Sequence, residues 1–88
     1  MCRNIRPLFN FEPPASHEEI EAAALQFVRK ISGFQKPSQV NTDAFNLAVQ
    51  QITEVSEVLL RKLHTKAPKR NREVEAQKAK ERAKKRFN

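Results

Sequence analysis

One glycine interrupts this chain, Gly33, and it stands where a regular apolar period stops. Ahead of it Ile20, Ala23, Ala24, Phe27, Val28 and Ile31 recur at steps of three and four, so one helix face carries them all. Ser16 is placed to cap that helix, and Glu19 three residues later completes a capping box. Ala15 and Ile20 are spaced as a hydrophobic staple. Pro13-Pro14 hold the entry extended, because each ring locks its own φ and keeps the preceding residue out of the helical region. Glu18 and Glu19 meet the positive end of the helix dipole, and Arg29 and Lys30 the negative end. Gly33 then ends the helix by adopting the left-handed conformation, with Phe34 spaced to cover Val28.

The same scarcity excludes whole function classes. A glycine-rich phosphate loop or dinucleotide fingerprint needs at least two glycines. The lone cysteine, Cys2, rules out an internal disulfide or a multi-cysteine cluster. His17 and His64 are the only histidines and lie far apart, so no metal site and no cofactor is expected.

Residues 34–42 read as a loop around Pro37. Asn41 or Thr42 caps a second, longer helix running to about Leu63 or His64. Its main stripe is Phe45, Ala48, Val49, Ile52, Val55, Leu59, Leu60 and Leu63, with Ala44, Leu47 and Val58 on a flank. That flank meets either the N-terminal arm or another subunit. Ala67-Pro68 breaks the pattern, and a third helix is predicted over Arg72–Arg86 from its Glu, Ala, Gln, Lys and Arg content. Its apolar stripe, Ala76, Ala79, Ala83 and Phe87, is thin, which predicts loose docking. Ile5, Leu8, Phe9 and Phe11 sit in a stretch too short and proline-marked for a helix, and leaving them in water is costly. The expected fold is therefore all-α: an extended N-terminal arm over two packed antiparallel helices, plus a basic C-terminal helix. Residues 1–64 form the body and 65–88 the basic tail of one domain. The order of the three helices also suits a histone-like arrangement, against which stand the long loop 34–41 and the charge of the third helix.

Charge divides along the same line. Residues 1–60 hold five cations and seven anions, whereas residues 61–88 hold twelve cations and three anions. The whole chain carries +7, so the last third is a cationic object on a mildly acidic body. Such a segment gains affinity for a phosphate backbone through counterion release. The alternative is a solvated helix that only keeps the protein soluble.

The runs Cys2-Arg3-Asn4-Ile5, Phe11-Glu12-Pro13-Pro14 and Phe27-Val28-Arg29-Lys30-Ile31-Ser32-Gly33 resemble a family of short bacterial proteins that begin Met-Cys-Arg-Asn-Ile, a domain of unknown function. The resemblance covers nearly the whole chain. It implies a bacterial origin, a cytoplasmic setting and a single domain, and it brings no assigned activity or site.

Three function classes follow. The first is a small cytoplasmic binding protein that contacts nucleic acid non-specifically through Arg61, Lys62, Lys66, Lys69, Arg70, Arg72, Lys78, Arg82, Lys85 and Arg86. The second is a protein-interaction or homodimerisation module using Leu47, Val58, Ala76, Ala79 and Ala83. The third is a thiol-based enzyme or sensor centred on Cys2, whose neighbours Arg3 and Arg6 favour the thiolate; against it, Cys2 is a small apolar side chain that seats the arm. A binding role is favoured over catalysis. No apolar run approaches the ~18 residues of a membrane span, and no stretch has signal-peptide character. With a lone thiol, these absences set the expectation of a reducing cytoplasm.

Overall fold

The computed structural model describes residues 5–87, with side chains through Lys84. Cys2, Arg3 and Asn4, and the side chains of Lys85 and Arg86, lie outside the described residues. Three helices dominate: α1 (His17–Ser32), α2 (Thr42–Lys62) and α3 (Arg72–Phe87). A 3-10 turn over Gln39–Asn41 leads into α2, within the stretch expected as loop. Two dipeptides, β1 (Phe11–Glu12) and β2 (Arg70–Asn71), pair in parallel. The fold is thus nearly all-α, and the short pairing is what the sequence pattern did not anticipate.

The ends of α1 follow its local chemistry. The Glu19 amide donates to Ser16 Oγ at 3.2 Å, and the Ser16 amide donates to Glu19 Oε1 at 3.1 Å, closing the capping box. Gly33 adopts φ 79°, and its N–H donates to the Arg29 carbonyl at 2.9 Å. That backbone region costs an L-residue its Cβ contacts, so glycine stops the helix there.

Ile20, Ala24 and Val28 are buried where α1 meets α2. The two helices run antiparallel, since His17 at the start of α1 bonds Glu57 near the end of α2. The inward face of α2 is built from buried Phe45 and Thr53, with Ala48, Val49, Ile52, Ser56 and Leu60 half-buried beside them. This face is rotated from the expected stripe: Val55 is 70 % exposed, and Leu59 and Leu63 also face water. Thr53, only 2 % exposed, takes the inner position instead. Its hydroxyl donates to the Val49 carbonyl one turn back at 2.7 Å, so it enters the core as a small branched side chain with its polar atom already satisfied.

The arm reaches the body and also grips the segment leading into α3. Asn10 sits at φ 68°, a left-handed conformation that Asn tolerates better than other L-residues. Its carbonyl accepts from the Arg70 amide at 2.8 Å, and its side-chain amide donates to the Pro68 carbonyl at 3.0 Å. Lys69 meets Glu12 at 3.3 Å, and the Glu12–Pro13 bond is cis. Leu8, Phe9 and Phe11 are half-buried by this arrangement.

Helix α3 stands off the body. Asn71 caps it, its Oδ1 accepting from the amides of Glu73 and Val74 at 2.9 and 3.1 Å. Ala76, Ala79 and Ala83 are all exposed, so the thin stripe gains nothing by packing within the chain. The molecule measures 45 × 37 × 16 Å with a radius of gyration of 15.8 Å. A compact chain of this length would reach only about 12 Å, and the outlying third helix accounts for the excess.

Candidate nucleic-acid surface and the adjoining cleft

The cations of the C-terminal third divide by what surrounds them. Arg72, the first residue of α3, is half-buried and makes three hydrogen bonds within the molecule. Its two terminal nitrogens donate to the two carboxylate oxygens of Glu19 at 2.8 and 3.0 Å, and Nε donates to the Pro13 carbonyl at 3.0 Å. Its guanidinium also lies 5.4 Å from the Phe11 ring centroid. The Glu19 carboxyl is held below the usual carboxylate range, first by the Arg72 hydrogen bonds and then by the Ser16 amide. Arg72 therefore clamps α3 to the α1 cap, and its charge is paired within the molecule by Glu19.

Lys69 is shared with Glu12 in an exposed pair, and Lys78 lies 3.9 Å from Glu75, a loose contact on the helix surface. Arg70 is exposed with its guanidinium 5.8 Å from the Phe11 centroid. Arg61, Lys62, Lys66, Lys80, Arg82 and Lys84 are exposed, and no ion pair holds them among the described residues. At 100° per residue Lys78 and Arg82 run along one side of the Ala76–Ala79–Ala83 stripe, and Lys80 and Lys84 along the other. The described part of the third helix thus presents two cationic rows, Lys78 with Arg82 and Lys80 with Lys84, separated by small side chains. Ala44, Leu47 and Val58, the flank of α2, are exposed.

A cleft of about 460 Å³ opens beside this surface, walled by the arm, the start of α1, the end of α2 and the segment before β2. Its apolar lining includes Phe9, Phe11, Ile20, Leu60 and Leu63, and its polar lining includes Asn10, His17, Glu57, Arg61, His64 and Lys69. His17 Nδ1 hydrogen-bonds the Glu57 carboxylate, and Nε2 lies 3.6 Å from Glu21. The hydrogen bond to Glu57, reinforced by its charge, raises the His17 pKa above the ordinary 6.5. Both ring nitrogens face carboxylates, Glu57 on α2 and Glu21 one turn along α1, so His17 ties the start of α1 to α2. Among the described residues, no group of three or more His, Cys, Asp and Glu side chains is placed to hold a metal ion.

Sequence patterning placed His17 at a helix start and His64 near a helix end, with no link between them. The fold brings both to one cleft through contacts forty or more residues apart, for which no local signal exists. The Asn71 cap did carry a signal, an Asn directly ahead of a helix-forming run.

No described helix is long and apolar enough to cross a membrane. A family model described as "Uncharacterized conserved protein (DUF2277)" matches residues 1–78, spanning the arm, α1, α2, the cleft and the first part of α3. No curated protein and no solved structure matches the chain.

Proposed function

The chain belongs to the DUF2277 family of uncharacterized conserved proteins, and we propose that it is a small binding protein that contacts nucleic acid without sequence preference through its basic C-terminal segment. One observation carries this reading: Arg61, Lys62, Lys66, Lys80, Arg82 and Lys84 are exposed with no carboxylate partner among the described residues. Arg72 takes no part in this surface, because Glu19 holds it. The outstanding position of α3 leaves both cationic rows open to a polyanion. The chain has no Trp or Tyr, so stacking on single-stranded bases contributes little, and affinity comes from phosphate neutralisation. A reducing cytoplasm suits such a protein and its lone thiol.

Retardation of duplex DNA or RNA over a salt series tests this. With about five to seven phosphates neutralised, the log–log slope is about −4 to −6. The triple variant Lys80→Gln/Arg82→Gln/Lys84→Gln reduces the slope by about 3. An unchanged slope in that variant refutes the assignment of the surface.

A second reading rests on Leu47 and Val58, 52 % and 38 % exposed, which with Ala44 and Val55 form an apolar row on the outer side of α2. Homodimerisation would cover it. Light scattering would then give a multiple of 10.2 kDa, and Leu47→Glu or Val58→Glu would return the monomer.

A further inference from the structure

We propose that the cleft between the N-terminal arm and the C-terminal end of α2 binds a small organic anion, a carboxylate or phosphate monoester carried on a ring or short chain. The volume, about 460 Å³, falls in the range of small-molecule sites. The lining divides as an amphipathic ligand requires. Phe9, Phe11, Ile20 and Leu60 offer an apolar surface for its body, while Arg61 and Lys69 bring cationic groups to the same space. The carboxylate in the lining, Glu57, is already engaged by the His17 ring, and Glu12 shares Lys69 in an exposed pair. Arg61 forms no ion pair among the described residues, leaving its guanidinium fork for an incoming carboxylate or phosphate.

The walls are set without a ligand. Asn10 is held in its left-handed conformation by bonds to Pro68 and Arg70, and the β1–β2 pairing fixes the arm across the opening. Such preorganisation removes the ordering cost that weakens binding in a mobile pocket. A polynucleotide does not fit the same description, since its backbone needs an extended cationic track rather than a cleft lined by phenylalanine. The site is therefore separate in kind from the α3 surface, although Arg61 and Lys69 border both.

The test is an amide NMR titration of the full chain with benzoate, phenyl phosphate, benzyl alcohol and inorganic phosphate. Saturable shifts at Leu8–Phe11 and Leu63–Thr65 with benzoate or phenyl phosphate are expected, and the tighter of the two identifies carboxylate or phosphate as the preferred head group. Benzyl alcohol, which lacks the charge, and inorganic phosphate, which lacks the apolar body, bind at least about tenfold more weakly. Arg61→Gln and, separately, Lys69→Gln each weaken binding about fivefold. Lys80→Gln/Arg82→Gln leaves it unchanged, which separates the cleft from anions gathering on α3. Shifts confined to α3, equal binding of benzyl alcohol or inorganic phosphate, or no saturable shift at the cleft with either organic anion overturns the proposal.

Discussion

Replacing Arg72 by Gln removes the clamp between α3 and the capped end of α1, and its cost can be worked from the contacts. The pair with Glu19 is bidentate, at 2.8 and 3.0 Å, but the two side chains are 33 % and 37 % exposed. Water at that exposure holds the ion pair to about 1 kcal/mol, although hydrogen bonds to charged groups contribute more when shielded. The bond from Nε to the Pro13 carbonyl adds about 1 kcal/mol, and the guanidinium near Phe11 about 0.5. Glu19 left behind can be hydrated, so no buried orphan charge enlarges the loss. The expected destabilisation is about 2–2.5 kcal/mol, or roughly 8–20 °C in Tm for a chain of this size. Urea unfolding of wild type, Arg72→Gln, Glu19→Gln and the double variant should return a coupling energy of about 1 kcal/mol. Gln at position 19 still supports a capping box, so the cycle isolates the charge. Because β2 hangs from the same anchor, the Arg70 amide, bonded to the Asn10 carbonyl at 2.8 Å, should lose hydrogen-exchange protection in Arg72→Gln. A destabilisation below about 0.5 kcal/mol in urea unfolding together with a still-protected Arg70 amide would refute the clamp; surface substitutions without such a role fall in that range.

The carboxyl of Glu19 titrates below its ordinary 4.5 in the folded chain. Its contribution is therefore present above that value and lost as pH falls through the folded-state pKa, so an acid titration of stability should flatten in Glu19→Gln. His17 moves the opposite way: its pKa is raised, so the Glu57 contact stabilises fully below 6.5 and fades as pH rises through the folded-state pKa. The stability difference between wild type and Glu57→Gln should shrink across that rise, and a difference that does not vary with pH would show the imidazolium is not involved. Thr53→Val should change stability by less than about 1.5 kcal/mol in thermal unfolding, because only one hydrogen bond within its own helix is lost. Gly33→Ala should cost about 1–2 kcal/mol by the same assay, since no atom beyond the adjoining chain lies within 4 Å of the added Cβ and the penalty is the left-handed backbone alone.

The two ends of α1 were legible in the sequence, because a cap, a dipole and a left-handed stop each act within about four residues; of its apolar row, Ile20, Ala24 and Val28 are buried as expected, whereas Phe27 and Ile31 face water because α2 covers only part of that face. Ser16, Glu19 and Gly33 needed no distant partner to be read. The rotation of α2 was not legible. Its apolar residues form two overlapping rows, and apolar periodicity does not score Thr53, whose back-bonded hydroxyl lets it replace Val55 in the core. The cationic character of the last third was plain from composition, but which cations remain available depended on where Glu19 and Glu12 came to rest.

Sequence by itself determined the helical class, the boundaries that chemistry marks locally, and the placing of charge along the chain. Tertiary structure alone decided that the arm pairs with Arg70–Asn71, that Arg72 is consumed by Glu19, and that His17, Glu57, Arg61 and His64 border one cleft. The physical reason is range. Caps and helix stops are satisfied by neighbours in the chain, whereas pairing across more than forty residues depends on which apolar face each helix turns inward, and that choice is made only when both faces pack together.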